Sequence, residues 1–142
     1  MHDALFEAYG RTTFAAETRR GRLLLHVGRH SAELDDLLAA HGVATWAYVT
    51  AFNPGSRLLP AEANAARLRD LERVVAARGF VSYPGQGIGD DGRWPAELSR
   101  LVLGIGRADA MQLGQEFGQL TIVYGELGRA AELVACERGG AR

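Results

Sequence analysis

The sequence predicts an α/β or α+β fold: a mixed β-sheet with a βαββαβ-like core, an N-terminal hairpin and about three main helices packed mainly on one face. Three observations carry this. Apolar residues switch between the alternating period of strands and the roughly 3.6-residue period of helices, with Gly or Pro at the junctions. The resulting order is helix, β, β, α, β, α, β, β, α, β, β, and its middle part, about 44–124, has the split βαβ arrangement. Over 142 residues there is no repeat, low-complexity tract or linker, so a single domain spanning 1–142 is the simplest organisation. Right-handed crossovers put the helices on one face, while the hairpin and the last strand extend the edges. Strand order separates α/β from α+β, and the sequence leaves it open.

Each element has its own signal. Leu5, Ala8 and Tyr9 have helical spacing and suggest a short helix over 2–9. Residues 12–17 and 23–27 are strand-like, and Arg20-Gly21 between them makes a hairpin turn. Ser31 is a good N-cap, Leu34, Leu37, Leu38 and His41 follow at i, i+3, i+4 and i+7, and Gly42 suits the C-terminal stop, which predicts a helix over 32–41. Residues 44–52 carry few charges, as a central strand does. Pro60 opens the longest helix, 60–78, with Ala61, Ala65, Leu68, Leu71 and Val75 inward and Gly79 at its end. Residues 80–83 form a short strand, 84–95 a Gly-rich loop, and 101–105 another strand. Residues 108–118 read as a helix, and 120–124 and 131–136 as the last two strands.

Composition narrows the function classes. No apolar run approaches the roughly 20 residues that span a bilayer, and the N-terminal segment lacks the apolar core and cleavage site of a signal peptide. The single Cys136 excludes an internal disulfide, and a cytoplasmic protein is expected. All 16 basic residues are Arg, read as coding bias or as a surface suited to bidentate anion contacts. A net charge of −1 argues against sequence-independent nucleic-acid binding. His26, His30 and Cys136 have no recognised metal-ligand spacing, so neither metal nor cofactor is expected.

The most informative stretch is 46–64, where an aromatic and β-branched run stops at Asn53-Pro54-Gly55-Ser56 and a helix begins at Pro60. Sheet-to-helix exits of this kind are where α/β proteins place ligands. Pro54 fixes its own φ and holds Asn53 toward extended backbone, Gly55 permits positive φ, and the N–H groups of such a turn can converge on an anion. Thr50, Asn53 and Ser56 supply polar groups and Arg57 a charge; alternatively Asn53 and Ser56 bond the loop to itself. Asn64, a poor helix former one turn after Pro60, either contacts a ligand or ties helix to loop. Glu97 is the best single acid/base candidate, though one carboxylate by a strand also suits an ion pair. The glycines at 85, 87 and 89 fail as a dinucleotide fingerprint because no helix follows, and they read as a mobile flap.

Several segments, in order, resemble a bacterial family of uncharacterised proteins, the domain of unknown function family 3293. Ala8-Tyr9 with Thr12 resembles its "AY..T", and Val27-Gly28 with Ser31 and Leu34 its "VG..S..L". Trp46-Ala47 with Thr50-Ala51-Phe52-Asn53-Pro54 and Ser56 resembles "WAFITAWNP.S", the most specific motif. Asn64 stands at its helix Asn, residues 95–99 resemble "PEES", and Phe117-Gly118-Gln119 resembles "FGQ". Pro60 replaces a helix-capping Ser, and Ala96 replaces the first acid of "PEES", leaving Glu97 alone. The resemblance implies no activity.

Gln119 and Tyr124 bracket one strand, so only one of them can reach the Asn53 turn. Strand polarity favours Tyr124, and the family resemblance favours Gln119. The expected function is binding of a nucleotide-like or other anionic small molecule at loop 50–56; the alternative is a non-enzymatic module that self-associates or binds a protein partner.

Overall fold

A computed structural model describes residues 10–89 and 95–136. The helix expected over 2–9 lies outside the described residues. The elements are β1 (Thr13–Thr18), β2 (Gly21–Leu25), α1 (Ala32–Ala40), β3 (Thr45–Thr50), α2 (Ala61–Ala77), β4 (Val81–Ile88), β5 (Glu97–Leu103), α3 (Arg107–Glu116), β6 (Thr121–Glu126) and β7 (Glu132–Ala135). They fit a single mixed domain, with one seven-stranded sheet in the order β2-β1-β4-β5-β3-β6-β7.

Every ladder in that sheet is antiparallel, and among the described residues the one parallel contact is the isolated bridge Val27↔Ala131. The βαββαβ core is present, since β3, α2, β4, β5, α3 and β6 lie in the spatial order β4-β5-β3-β6. The hairpin β1–β2 extends the sheet beyond β4, and β7 extends it beyond β6. Of the two fold classes left open, an antiparallel sheet of this kind is α+β.

Local signals place the helix ends. Ser31 Oγ accepts the Leu34 N–H at 3.1 Å, capping α1, and Gly42 beyond its end adopts φ 69. Gly79 does the same after α2, at φ 87. Pro60 begins α2 with no side-chain cap, so the capping bond that a Ser would make is lost.

Two apolar layers sandwich the sheet. Leu71 and Val75 of α2 and Ala110, Leu113 and Phe117 of α3 and its C-terminal cap pack on Ala47, Val49, Val102 and Ile122. On the opposite face Leu34, Leu37 and Leu38 of α1 pack with Trp46, Tyr48, Leu101, Leu103, Phe14, Leu23 and Leu25. Thus α2 and α3 share a face, while α1 fills the concave side around which the sheet curls.

The Gly-rich loop expected over 84–95 is a correction. Residues Pro84 to Ile88 continue β4, pairing with β5 as far as Gly87↔Glu97 and with β1 from Gly85↔Ala16 to Ile88↔Thr13. Pro84 sits where the ladder to β1 ends, so its missing N–H costs no bond there. A Cβ on Gly85 would lie 2.6 Å from the Tyr48 hydroxyl and 2.7 Å from Ala15 O, and one on Gly87 would touch the Phe14 ring. These glycines serve close packing between strands, and a strand of this kind carries no local strand signal.

Candidate functional site

The exit of β3 is fastened before the turn begins. Thr50 Oγ1 donates to Leu98 O at 2.7 Å and accepts the Phe52 N–H at 3.0 Å, tying the exit to β5. Asn53 then adopts a left-handed backbone, φ 49 and ψ 61, with Gly55 at φ 66 and Ser56 at φ 63. The extended backbone expected of Asn53 before Pro54 is therefore not what forms. Non-glycine residues enter this region at a cost, and Asn does so most cheaply.

What holds Asn53 there is a hydrogen-bonded knot. Its N–H donates to Asn64 Oδ1 at 2.9 Å, and Asn64 Nδ2 donates back to Asn53 Oδ1 at 2.9 Å. Asn53 Oδ1 also accepts the Leu59 N–H, and Asn53 Nδ2 donates to Glu97 Oε2, each at 2.9 Å. Both amides are buried, with Asn53 4% and Asn64 6% exposed. Loop, helix and strand are thereby joined through two amide side chains, and no polar atom of either is wasted on an apolar neighbour.

A second layer closes over the knot from α2 and from the segment that follows α3. Gln119 Nε2 donates to Phe52 O at 3.0 Å and to Phe117 O at 3.2 Å. Arg67 on α2 donates through Nε to Ala51 O at 2.6 Å and through Nη2 to Phe117 O. Gly55 N–H donates to Gly118 O at 2.8 Å, and a Cβ on Gly118 would stand 2.7 Å from Pro54 Cβ. The segments resembling "TAWNP.S", the helix Asn, "PEES" and "FGQ" thus meet at one point.

The conflict over the β6 residues is resolved by register. Because β3 and β6 are antiparallel, with Tyr48↔Val123 and Ala47↔Tyr124, the strand runs back so that Gln119 reaches Phe52. Tyr124 lies at the other end, a correction to its grouping with Asn53. Its hydroxyl bonds Glu126 at 3.3 Å, Arg107 lies over its ring, and burial followed by Glu126 pushes its pKa up. Strand polarity favours Tyr124 in the sequence, and the antiparallel ladder of β3 with β6 places Gln119 at the β3 exit instead.

Chemically, the turn has no idle N–H. Asn53, Gly55, Ser56 and Arg57 donate to Asn64 Oδ1, Gly118 O, Asn53 O and Pro54 O, and Pro54 has none to give. An anion at this place must therefore be met by side chains. Ser56 and Arg57 are exposed and Glu97 is half-buried at the rim, whereas Asn53, Asn64, Gln119 and Thr50 are engaged in holding the frame. Arg67 carries no distinctive mark in the sequence. Its only signal is a position three residues after Asn64 on one helix, which any solvated Arg shares. Among the described residues no group of three His, Cys, Asp or Glu is arranged to hold a metal ion, and no helix is long and apolar enough to cross a membrane.

The family model described as Protein of unknown function (DUF3293) matches residues 49–122. The chain belongs to this family. The matched region contains Thr50, Asn53, Asn64, Arg67, Glu97 and Gln119, so the whole knot is family territory, and Tyr124 falls beyond it. No curated protein and no solved structure matches the chain.

Proposed function

We propose that the domain binds a small anionic molecule of nucleotide-like character at the rim of the Asn53–Asn64 knot. Arg57 meets the anionic group, Ser56 adds a hydroxyl contact, and Glu97 accepts from a hydroxyl or amino group of the ligand. Asn53, Asn64, Thr50 and Gln119 are positioning residues behind this rim. The observation that carries the reading is the pair of left-handed non-glycine residues, Asn53 and Ser56, flanking Pro54-Gly55 where separate segments converge. Backbone strain of this sort clusters at functional sites, and the knot supplies the bonds that hold it. Glu97 is also the acid/base candidate there, although binding does not require it to react. A cytoplasmic setting accords with Cys136, a buried free thiol.

Isothermal titration against nucleoside monophosphates tests the reading. Wild type binds at least one, and Arg57→Ala weakens it by about tenfold while leaving the urea midpoint in place. Absence of binding to every member, or equal binding by Arg57→Ala, overturns it.

A second reading has its own observation. Leu58 is 59% and Leu98 43% exposed, each next in sequence to a rim residue. Apolar side chains beside charged ones suit self-association or a protein partner. Light scattering separates the two: a monomer that binds nucleotide supports the first, and a stable oligomer without nucleotide binding supports the second.

A further inference from the structure

The curl of the sheet creates a second polar site on the face away from α2 and α3. Past the end of β2 the chain turns to meet the segment entering β7. There Gly28 N–H donates to Ala131 O at 2.8 Å, and Ala131 N–H donates to Arg29 O at 3.1 Å. This short seam is what joins the two edges of an otherwise open sheet. Beside it lies a cavity of about 290 Å³ with Trp46 in its wall and His26, Arg29, His30 and Arg129 around it.

The two arginines of that cavity lack a close carboxylate partner among the described residues. Asp35 is already engaged: its Oδ2 lies 2.6 Å from His30 Nε2, and its Oδ1 accepts the Gly128 N–H at 3.0 Å. Glu33, the other carboxylate there, is exposed and accepts only a long 3.5 Å contact from Ser31. Arg29 has no side-chain partner among the described residues, and Arg129 makes only a loose 3.8 Å pair with exposed Glu126. Arg29 and Arg129 both line the cavity and belong to the two chain segments that the seam joins, and a guanidinium fork matches a planar or tetrahedral oxyanion.

The geometry points to this cavity as a binding site for a small doubly charged oxyanion, a phosphate or a dicarboxylate, held between Arg29 and Arg129. The volume is at the lower end of ligand pockets, which suits a compact ligand. Because the two arginines belong to the two sides of the seam, an anion between them ties the sheet closed. The amides of Gly28 and Ala131 report on that closure.

Inorganic phosphate and succinate are the probes, titrated calorimetrically into wild type, Arg29→Ala, Arg129→Ala and Arg57→Ala. Probe binding at this cavity is expected to weaken by about tenfold in each of the first two variants, while Arg57→Ala removes only any additional phosphate binding at the rim of the Asn53 knot. Hydrogen exchange of Gly28 and Ala131 slows when the probe is added to wild type. Since both arginines are exposed, all variants keep the urea midpoint of wild type. No binding of either probe overturns the inference, as does binding that ignores Arg29 and Arg129. Loss in Arg57→Ala alone assigns the anion to the rim of the Asn53 knot and likewise overturns it. Failure at that rim, with binding intact here, leaves this site standing.

Discussion

Asn53 and Asn64 bond each other reciprocally, main-chain N–H to side-chain oxygen one way and side-chain amide to side-chain oxygen the other, both at 2.9 Å. The pair fixes a left-handed residue at the exit of β3 against the first turn of α2. Its removal has a definite cost. Asn64→Ala leaves the buried Asn53 N–H without an acceptor, which destabilises by about 1–3 kcal/mol. Urea denaturation measures it, and a change within experimental error would mean that the knot contributes nothing to stability.

Gly118 and Gly128 both have positive φ, at 71 and 83, but only Gly118 faces a neighbour within contact, Pro54. Gly128→Ala therefore costs only the left-handed penalty, roughly 1–2 kcal/mol. Gly118→Ala adds a clash with Pro54 and costs at least about 1 kcal/mol more. Equal losses for the two variants would show that the Pro54 contact is slack.

Gly85 is a test of the β4 correction. Gly85→Ala puts a methyl against both the Tyr48 hydroxyl and Ala15 O, and it should unfold the protein at lower urea. Adding Tyr48→Phe does not restore full stability, because Ala15 O and the ring Cε2 of residue 48 stay within 3 Å and the hydroxyl's bond to Ala15 O is lost. A full-stability Gly85→Ala protein would place this segment in a loop after all.

Asp35 sets an acid limit. Burial alone would raise its carboxyl, but the Gly128 N–H and His30 outweigh that and hold it below its ordinary value of 3.8. In the window between the folded and unfolded values the unfolded chain binds the extra proton, so stability rises with pH there. The contribution is complete above the unfolded value and is lost as pH falls through the folded one. Urea midpoints between about pH 5 and pH 2 should fall less steeply in Asp35→Asn than in wild type.

Cys136 should be silent in the native protein. It is 3% exposed, and burial pushes its thiol up to about 11. Little thiolate exists near pH 8, and a thiol reagent should label it slowly until urea unfolds the chain. Rapid labelling without urea would show that its cover beside Gly114 opens freely.

The amino-acid sequence by itself determined what depends on a few neighbouring residues. The Ser31 cap, the glycine stops at 42 and 79, the hairpin turn at Arg20-Gly21 and the order of the elements all follow from backbone preferences acting within one turn. The tertiary structure decided what depends on partners far along the chain. Gly85 and Gly87 are strand residues because Tyr48 and Phe14 occupy the space above them, and no local rule distinguishes that from a loop. Gln119 rather than Tyr124 reaches Phe52, next to Asn53, because β6 runs antiparallel to β3. The seam at Val27 and Ala131, and with it the cavity between Arg29 and Arg129, exists only once the whole sheet has curled around α1. Pairing register and sheet curvature are set by contacts summed over the fold, which no short stretch of sequence contains.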